Sequence, residues 1–147
     1  MSTNDVSVQS RAALLEELAA IVGPDRVMSD PYSLRLYSYD GGADGAAPDA
    51  VVLPDSIDEL VQVVAATHRH GVNLIPRGAG TGLSGGAIPC EGGVSLSFGR
   101  LRHILEIDDA NQCALVEAGA INVQVGQAAA KYGLMFAPDP SSQGSST

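Results

Sequence analysis

Apolar residues recur along the chain with two distinct periods. In residues 10–22, Leu14, Leu15, Leu18, Ile21 and Val22 fall three and four apart, which predicts an amphipathic helix capped by Ser10 and stopped by Gly23-Pro24. Val51-Val52-Leu53 predicts a short strand, and Pro54-Asp55-Ser56 leads into a second helix in which Ser56 and Glu59 have capping-box spacing. Its expected apolar face is Ile57, Leu60, Val61, Val64 and Ala65, and Gly71 ends it. Residues 72–76 then read as a buried strand. Residues 94–98, 104–107 and 113–117 are further strand candidates, the last two paired antiparallel across Asp108-Asp109-Ala110-Asn111. Asn122 is expected to cap a helix that runs to Tyr132 and stops at Gly133. Residues 30–50 hold prolines, glycines and three tyrosines without a sustained period, so an extended connection is expected there.

Short strands mixed with two or three helices imply α+β or α/β layering. The 147 residues suffice for one core and not two. A net charge of −9 disfavours nucleic acid and anionic membranes as partners. No apolar run reaches the ~18 residues of a membrane span, and Met1-Ser2-Thr3-Asn4-Asp5 lacks the basic start of an export signal. A cytoplasmic location is therefore expected, with Cys90 and Cys113 as free, structural thiols.

The chemistry is concentrated in residues 78–86, Gly-Ala-Gly-Thr-Gly-Leu-Ser-Gly-Gly, where five of nine positions are glycine. Glycine admits positive φ and lacks Cβ, so successive N–H groups can face one concavity and approach an anion closely. No Asp or Glu occurs in residues 60–90, although Arg69 and Arg77 do. An acidic chain thus keeps an acid-free, Arg-bearing loop directly after a strand, a local site for negative charge such as a pyrophosphate. A glycine-rich strand connection without a ligand is the plainer alternative. Gly80, Gly82 and Gly85 match a dinucleotide fingerprint, but Gly86, Pro89, Gly92 and Gly93 forbid the helix it needs. Lys131 is the sole lysine, so no P-loop follows the glycines.

Pro76-Arg77-Gly78-Ala79-Gly80-Thr81-Gly82-Leu83-Ser84-Gly85-Gly86, followed at a distance by Pro138-Asp139-Pro140-Ser141-Ser142-Gln143, resembles the FAD-binding domain of the vanillyl-alcohol oxidase (PCMH) superfamily. Within it, Val51-Val52-Leu53-Pro54 and Leu105-Glu106-Ile107 are most similar to the branch that holds GlcD-like glycolate oxidase and the D-2-hydroxyacid and D-lactate dehydrogenases. The resemblance implies an α+β fold: the first subdomain of a PCMH-type FAD-binding domain, a small mixed sheet flanked by helices. Residues 1–45 would be an N-terminal helix and connection, and residues 46–147 the first half of the FAD-binding domain, truncated at its C-terminal side. It implies that residues 77–86 wrap the FAD pyrophosphate, with hydroxyls from Thr81 and Ser84. Pro138, Asp139, Ser141 and Ser142 would line the cofactor from a second loop, and Gly119 would turn a strand beneath it. The loop has no histidine for covalent attachment, so the implied FAD is non-covalent.

The family continues with an Ile-Gly-Gly-Asn stretch, a second FAD subdomain, a substrate cap, and the histidine and acidic residues that hold a metal and take the substrate proton. The 2-hydroxy acid, glycolate or D-lactate for example, would meet that continuation, and iron–sulfur or other electron-transfer proteins are implied partners. No catalytic residue or metal ligand is expected within this chain, and turnover by it alone is not expected. A phosphate-binding half-domain and a truncated remnant are the alternatives. His68, His70 and His103 are expected at the surface, Glu16-Glu17 on a helix surface and Asp108-Asp109 in a turn. Tyr32, Tyr37 and Tyr39 are expected to pack against the domain, and Arg77 to serve phosphate or loop support.

Overall fold

The computed structural model describes residues 3–147. Met1-Ser2, part of the stretch lacking a basic export signal, lie outside the described residues. Helix α1 (Thr3–Val22) is followed by a 3-10 turn (Pro24–Arg26), strand β1 (Val27–Met28), helix α2 (Pro31–Arg35), strand β2 (Ala50–Val52), helix α3 (Ile57–Arg69) and strand β3 (Leu74–Arg77). Strands β4 (Val94–Ser97), β5 (Ile104–Asp108) and β6 (Cys113–Val116) and helix α4 (Asn122–Ala130) complete the order. A four-stranded sheet has the order β1-β2-β4-β3, with β2, β4 and β3 parallel and β1 antiparallel at one edge. As the turn spacing predicts, β5 and β6 form an antiparallel hairpin.

The core lies between the sheet and helices α1 and α3. Leu14, Leu18 and Val22 of α1 and Val63 and Ala66 of α3 pack on Ala50, Val52, Val94 and Leu96. Each of the larger side chains, fully buried, contributes about 1.5–3 kcal/mol of transfer free energy. The intervening strand residues Val51, Ser95 and Ser97 are also buried, so β2 and β4 are covered on both faces, as parallel strands require.

Several expectations are corrected. Helix α1 begins at Thr3, so Ser10 is interior and caps nothing; residues 3–9 contain neither Gly nor Pro to stop a helix earlier. Helix α3 buries Val63, Ala66 and Thr67, with Leu60 half-buried, whereas Ile57, Val61 and Val64 are exposed. Apolar residues cover two stripes of this helix, and the inner one includes Thr67, whose hydroxyl is satisfied by the Val63 and Val64 carbonyls (3.1 and 3.0 Å). Ser56 does cap α3, accepting from the Glu59 N–H, but the Glu59 carboxylate takes the Asp55 N–H and a bidentate Arg26 (2.7 and 2.8 Å). In the expected extended connection, Asp30 accepts from the Tyr32 and Ser33 N–H groups and starts the short helix α2. Residues 72–76 were expected as a buried strand, but β3 is an edge strand with Pro76 exposed. Ile121, not Asn122, is the N-cap of α4, which ends at Ala130.

Candidate functional site

Residues 78–86 leave the C-terminal end of β3 beside the C-terminal end of β4, the position at which parallel sheets open a ligand crevice. Gly80 (φ +72°) and Gly85 (φ +78°) hold left-handed conformations that bend the loop. One limb encloses a cavity of about 340 Å³ bordered by Pro76, Gly78, Ala79, Gly80, Thr81 and Gly82, and Gly86 borders it from the loop's end. Phe98, Ala118 and Thr147 close its walls, and among the described residues no Asp or Glu side chain lines it. A Cβ at Gly82 or Gly86 would meet open space, so glycine there leaves room beside the backbone and relieves no internal clash. Among the described residues no hydrogen bond takes up the N–H groups of residues 78–82 and 86, so the backbone bordering this cavity has donors to spare for an anion such as a diphosphate.

The other limb is built differently. Leu83, Ser84 and Gly85 border a separate cavity with Asp40, Gly42 and Ile88. Asp40 is 7% exposed, and its carboxylate accepts from the Gly42 N–H (2.7 Å) and the Gly85 N–H (3.0 Å). The neighbouring Gly41 N–H donates to the Gly82 carbonyl (2.8 Å). Residues 60–90 are acid-free in sequence, yet the folded loop does carry an acid, delivered from the connection before β2. Sequence reading missed Asp40; the Asp-Gly-Gly turn at 40–42 was the available signal.

Arg77 lies behind the cavity limb, 6% exposed. Its guanidinium sits beneath Gly80, where an added Cβ would lie 2.6 Å from Cζ, and stands 5.5 Å from the Tyr37 ring centroid. Nη1 reaches the Ala87 carbonyl at 3.5 Å. Tyr37 thus packs as expected, whereas Tyr32 and Tyr39 are exposed.

Gly119 lies outside the cavity wall but fixes it. Its N–H donates to the Leu101 carbonyl (2.8 Å), and a Cβ would collide with the Phe98 carbonyl oxygen. Pro138 and Asp139 border another groove along α4, with Val123, Gly126 and Gln127. The Ser142 carbonyl accepts from the Ser145 and Ser146 N–H groups (2.9 and 2.8 Å), and Ser141 is exposed. The turn they form places the Ser146 carbonyl on the Asn122 N–H (2.9 Å) at the start of α4, and Thr147 beside Gly78. The structure therefore gathers residues 76, 78–82 and 86 around one cavity and sets Pro138 and Asp139 on a second one. A further cavity of about 500 Å³, apolar and lined by the hairpin and α4, shares Ala118 and Thr147 with the glycine-loop cavity.

Charged groups elsewhere serve packing. Glu17 joins α1 to α3 by pairing with Arg69 and with His70 Nε2 (2.9 Å), and the Arg69 bond holds its carboxyl below the usual range. His70 is therefore half-buried and paired, not simply solvated. His68 is exposed, and His103 is exposed but pairs with Glu117 at 2.7 Å. Cys90 and Cys113 are free and exposed. No helix among the described residues is long and apolar enough to cross a membrane.

Comparison with known proteins places these features in a family. A family model described as "FAD binding domain" matches residues 48–147. The glycolate oxidase subunit GlcD of Escherichia coli is 44% identical over 134 residues, covering 90% of this chain and 27% of that protein. The D-2-hydroxyglutarate dehydrogenase of Stutzerimonas stutzeri is 37% identical over 135 residues, covering 91% of this chain and 29% of that protein. Among solved structures, the 4-ethylphenol oxidase of Gulosibacter chungangensis superimposes with a TM-score of 0.81 at 27% identity, over 93% of this chain and 28% of that one. The chain thus spans under a third of the length of these relatives.

Proposed function

This chain belongs to the FAD binding domain family, as a partial PCMH-type subdomain related to GlcD-like glycolate oxidase and the D-2-hydroxyacid dehydrogenases, and on that premise we propose that its glycine loop holds the FAD diphosphate in a flavin-dependent oxidoreductase of 2-hydroxy acids. The observation that carries this reading is the cavity at the end of β3, walled by Phe98 and otherwise by backbone and small side chains, with no Asp or Glu among the described residues that line it. N–H groups of residues 78–82 and 86 are the donors, and Thr81 adds a hydroxyl. Charge-assisted bonds of this kind contribute about 1.5–3 kcal/mol each. Ser84 and Leu83 shape the loop from its other side. Pro138, Asp139, Ser141 and Ser142 are assigned to the same cofactor by the resemblance alone, and Gly119 supports the wall at Ala118.

Bound FAD supplies the hydride acceptor for oxidation at the hydroxyl-bearing carbon. With no histidine in residues 78–86, the cofactor is held non-covalently. Residues 46–147 act as the diphosphate-binding half of the cofactor domain, residues 1–45 supply the N-terminal helix and connection that precede it, and the hydroxy acid and electron acceptor are recognised elsewhere in a cytoplasmic enzyme.

The test is to purify the protein as its gene expresses it, record the flavin absorbance, and identify the cofactor after denaturation. FAD released without proteolysis is expected, together with bleaching by a 2-hydroxy acid such as glycolate or D-lactate under anaerobic conditions. Protein that neither carries nor takes up FAD would overturn the cofactor reading; flavin that no 2-hydroxy acid bleaches would overturn the substrate class.

A further inference from the structure

A loop with five glycines in nine positions loses much conformational entropy on ordering, so a ligand that had to order it would bind weakly. Two buried charged side chains stand against this loop, one behind each limb. Asp40 accepts from Gly42 and Gly85, and the Gly41-to-Gly82 bond seals the same junction. The contact leaves no slack, since a Cβ on Gly41 would lie 3.0 Å from the Thr81 and Gly82 carbonyls. Behind the other limb, Arg77 occupies the space beneath Gly80. Among the described residues no carboxylate side chain comes within 4.0 Å of its guanidinium. One long bond to the Ala87 carbonyl and the Tyr37 ring leave most of its five donors unused.

We propose that Asp40 and Arg77 are positioning residues of the glycine loop. Asp40 anchors the limb at residues 82–85, and Arg77 backs the cavity limb with an uncompensated positive charge, so the loop is set for a diphosphate before one arrives. The proposal deepens the FAD reading and rests on it. The arrangement also separates the charges: the Asp40 carboxylate is turned to the limb that borders no diphosphate, and the cation lies under the limb that does.

The experiment uses the protein as its gene expresses it, with Asp40→Asn, Gly41→Ala, Arg77→Gln, Arg77→Lys and Gly82→Val. FAD dissociation constants and the thermal midpoint of the flavin-free form are measured for each. Asparagine keeps one acceptor and loses the other, so Asp40→Asn should raise the Kd about 10–100-fold, the worth of one charge-assisted bond. The flavin-free midpoint should barely move. Gly41→Ala disturbs the same junction at an exposed position and should raise the Kd without touching the core, should Asp40→Asn fail to fold. Arg77→Gln should weaken FAD at least about tenfold, with binding largely rescued by Arg77→Lys and with a flattened salt dependence, because a charge has been removed. An unchanged Kd in Asp40→Asn and Gly41→Ala, or losses matched by equal destabilisation of the flavin-free form, would overturn the proposal while Gly82→Val still loses FAD. If Gly82→Val keeps FAD, the diphosphate reading falls and the proposal with it.

Discussion

Alanine at Gly119 should damage stability more than at any glycine that merely needs its φ. The residue does not occupy the left-handed region, so backbone strain contributes nothing and the whole effect is steric. An added Cβ would overlap the Phe98 carbonyl oxygen and lie 2.7 Å from the Leu101 oxygen and 2.9 Å from the Phe98 carbonyl carbon. All three are backbone atoms and cannot swing aside. Relief requires residues 118–120 to move off the segment after β4. That breaks the 2.8 Å bond from Gly119 to Leu101, leaving the pair unmade at about 1–3 kcal/mol. It also disturbs the buried Leu101 and Ala120, for which overpacking costs about 1–3 kcal/mol more. The total is about 4 kcal/mol, or a fall in thermal midpoint of roughly 10 °C for a chain of this size. Denaturant unfolding followed by circular dichroism measures it, with Gly71→Ala as the reference: Gly71 has φ +63° but open space around it, and should lose about 1 kcal/mol. If Gly119→Ala lies within about 0.5 kcal/mol of wild type, as ordinary surface changes do, the close backbone approach is not real.

Three further outcomes are expected. Gly82→Val should leave the fold intact and abolish FAD retention, whereas Gly80→Val, strained at φ +72° and pressed on Arg77, should lower flavin-free stability as well; equal stability for the two would contradict the loop geometry. The Arg26 bond holds the Glu59 carboxyl below its usual range. Its folded-state pKa lies under the unfolded one, so its stabilisation is present above about pH 4.5 and is lost as pH falls through the folded value. The stability gap between wild type and Glu59→Gln should therefore close on acidification, and a constant gap would refute the assignment. Ser95 is fully buried on β4 with no partner for its hydroxyl among the described residues, so Ser95→Ala should stabilise by up to about 1 kcal/mol in the same denaturation assay, and a loss would reveal a partner.

How far the sequence could be read depended on how many solutions each pattern allowed. Leu14, Leu18 and Val22 form one stripe, and α1 buries them. Helix α3 offers two stripes, and only packing against α1 and the sheet selects Val63, Ala66 and Thr67 over Ile57, Val61 and Val64. Strand β1, two residues long, carries no period; it exists because Val27 and Met28 pair with Val52 and Val51. The glycine loop was legible because its composition is local. Asp40 was not, since its bond to Gly85 spans 45 residues: the Asp-Gly-Gly turn at 40–42 marks a local turn and not the distant loop the carboxylate reaches.

Pro76 shows what else the β3 edge accomplishes. The Asn73 and Arg77 carbonyls accept from β4 and its continuation, so by strand alternation Leu74 and Pro76 turn their backbone groups outward. At Pro76 that outward face has no N–H to offer. A stray strand approaching this border would find a gap in the ladder at mid-length, and edge-to-edge joining of one molecule's sheet to another's is interrupted there. The residue that opens the loop motif is thus also a terminator: it lets the sheet end beside the glycine-loop cavity without inviting a neighbour to extend it.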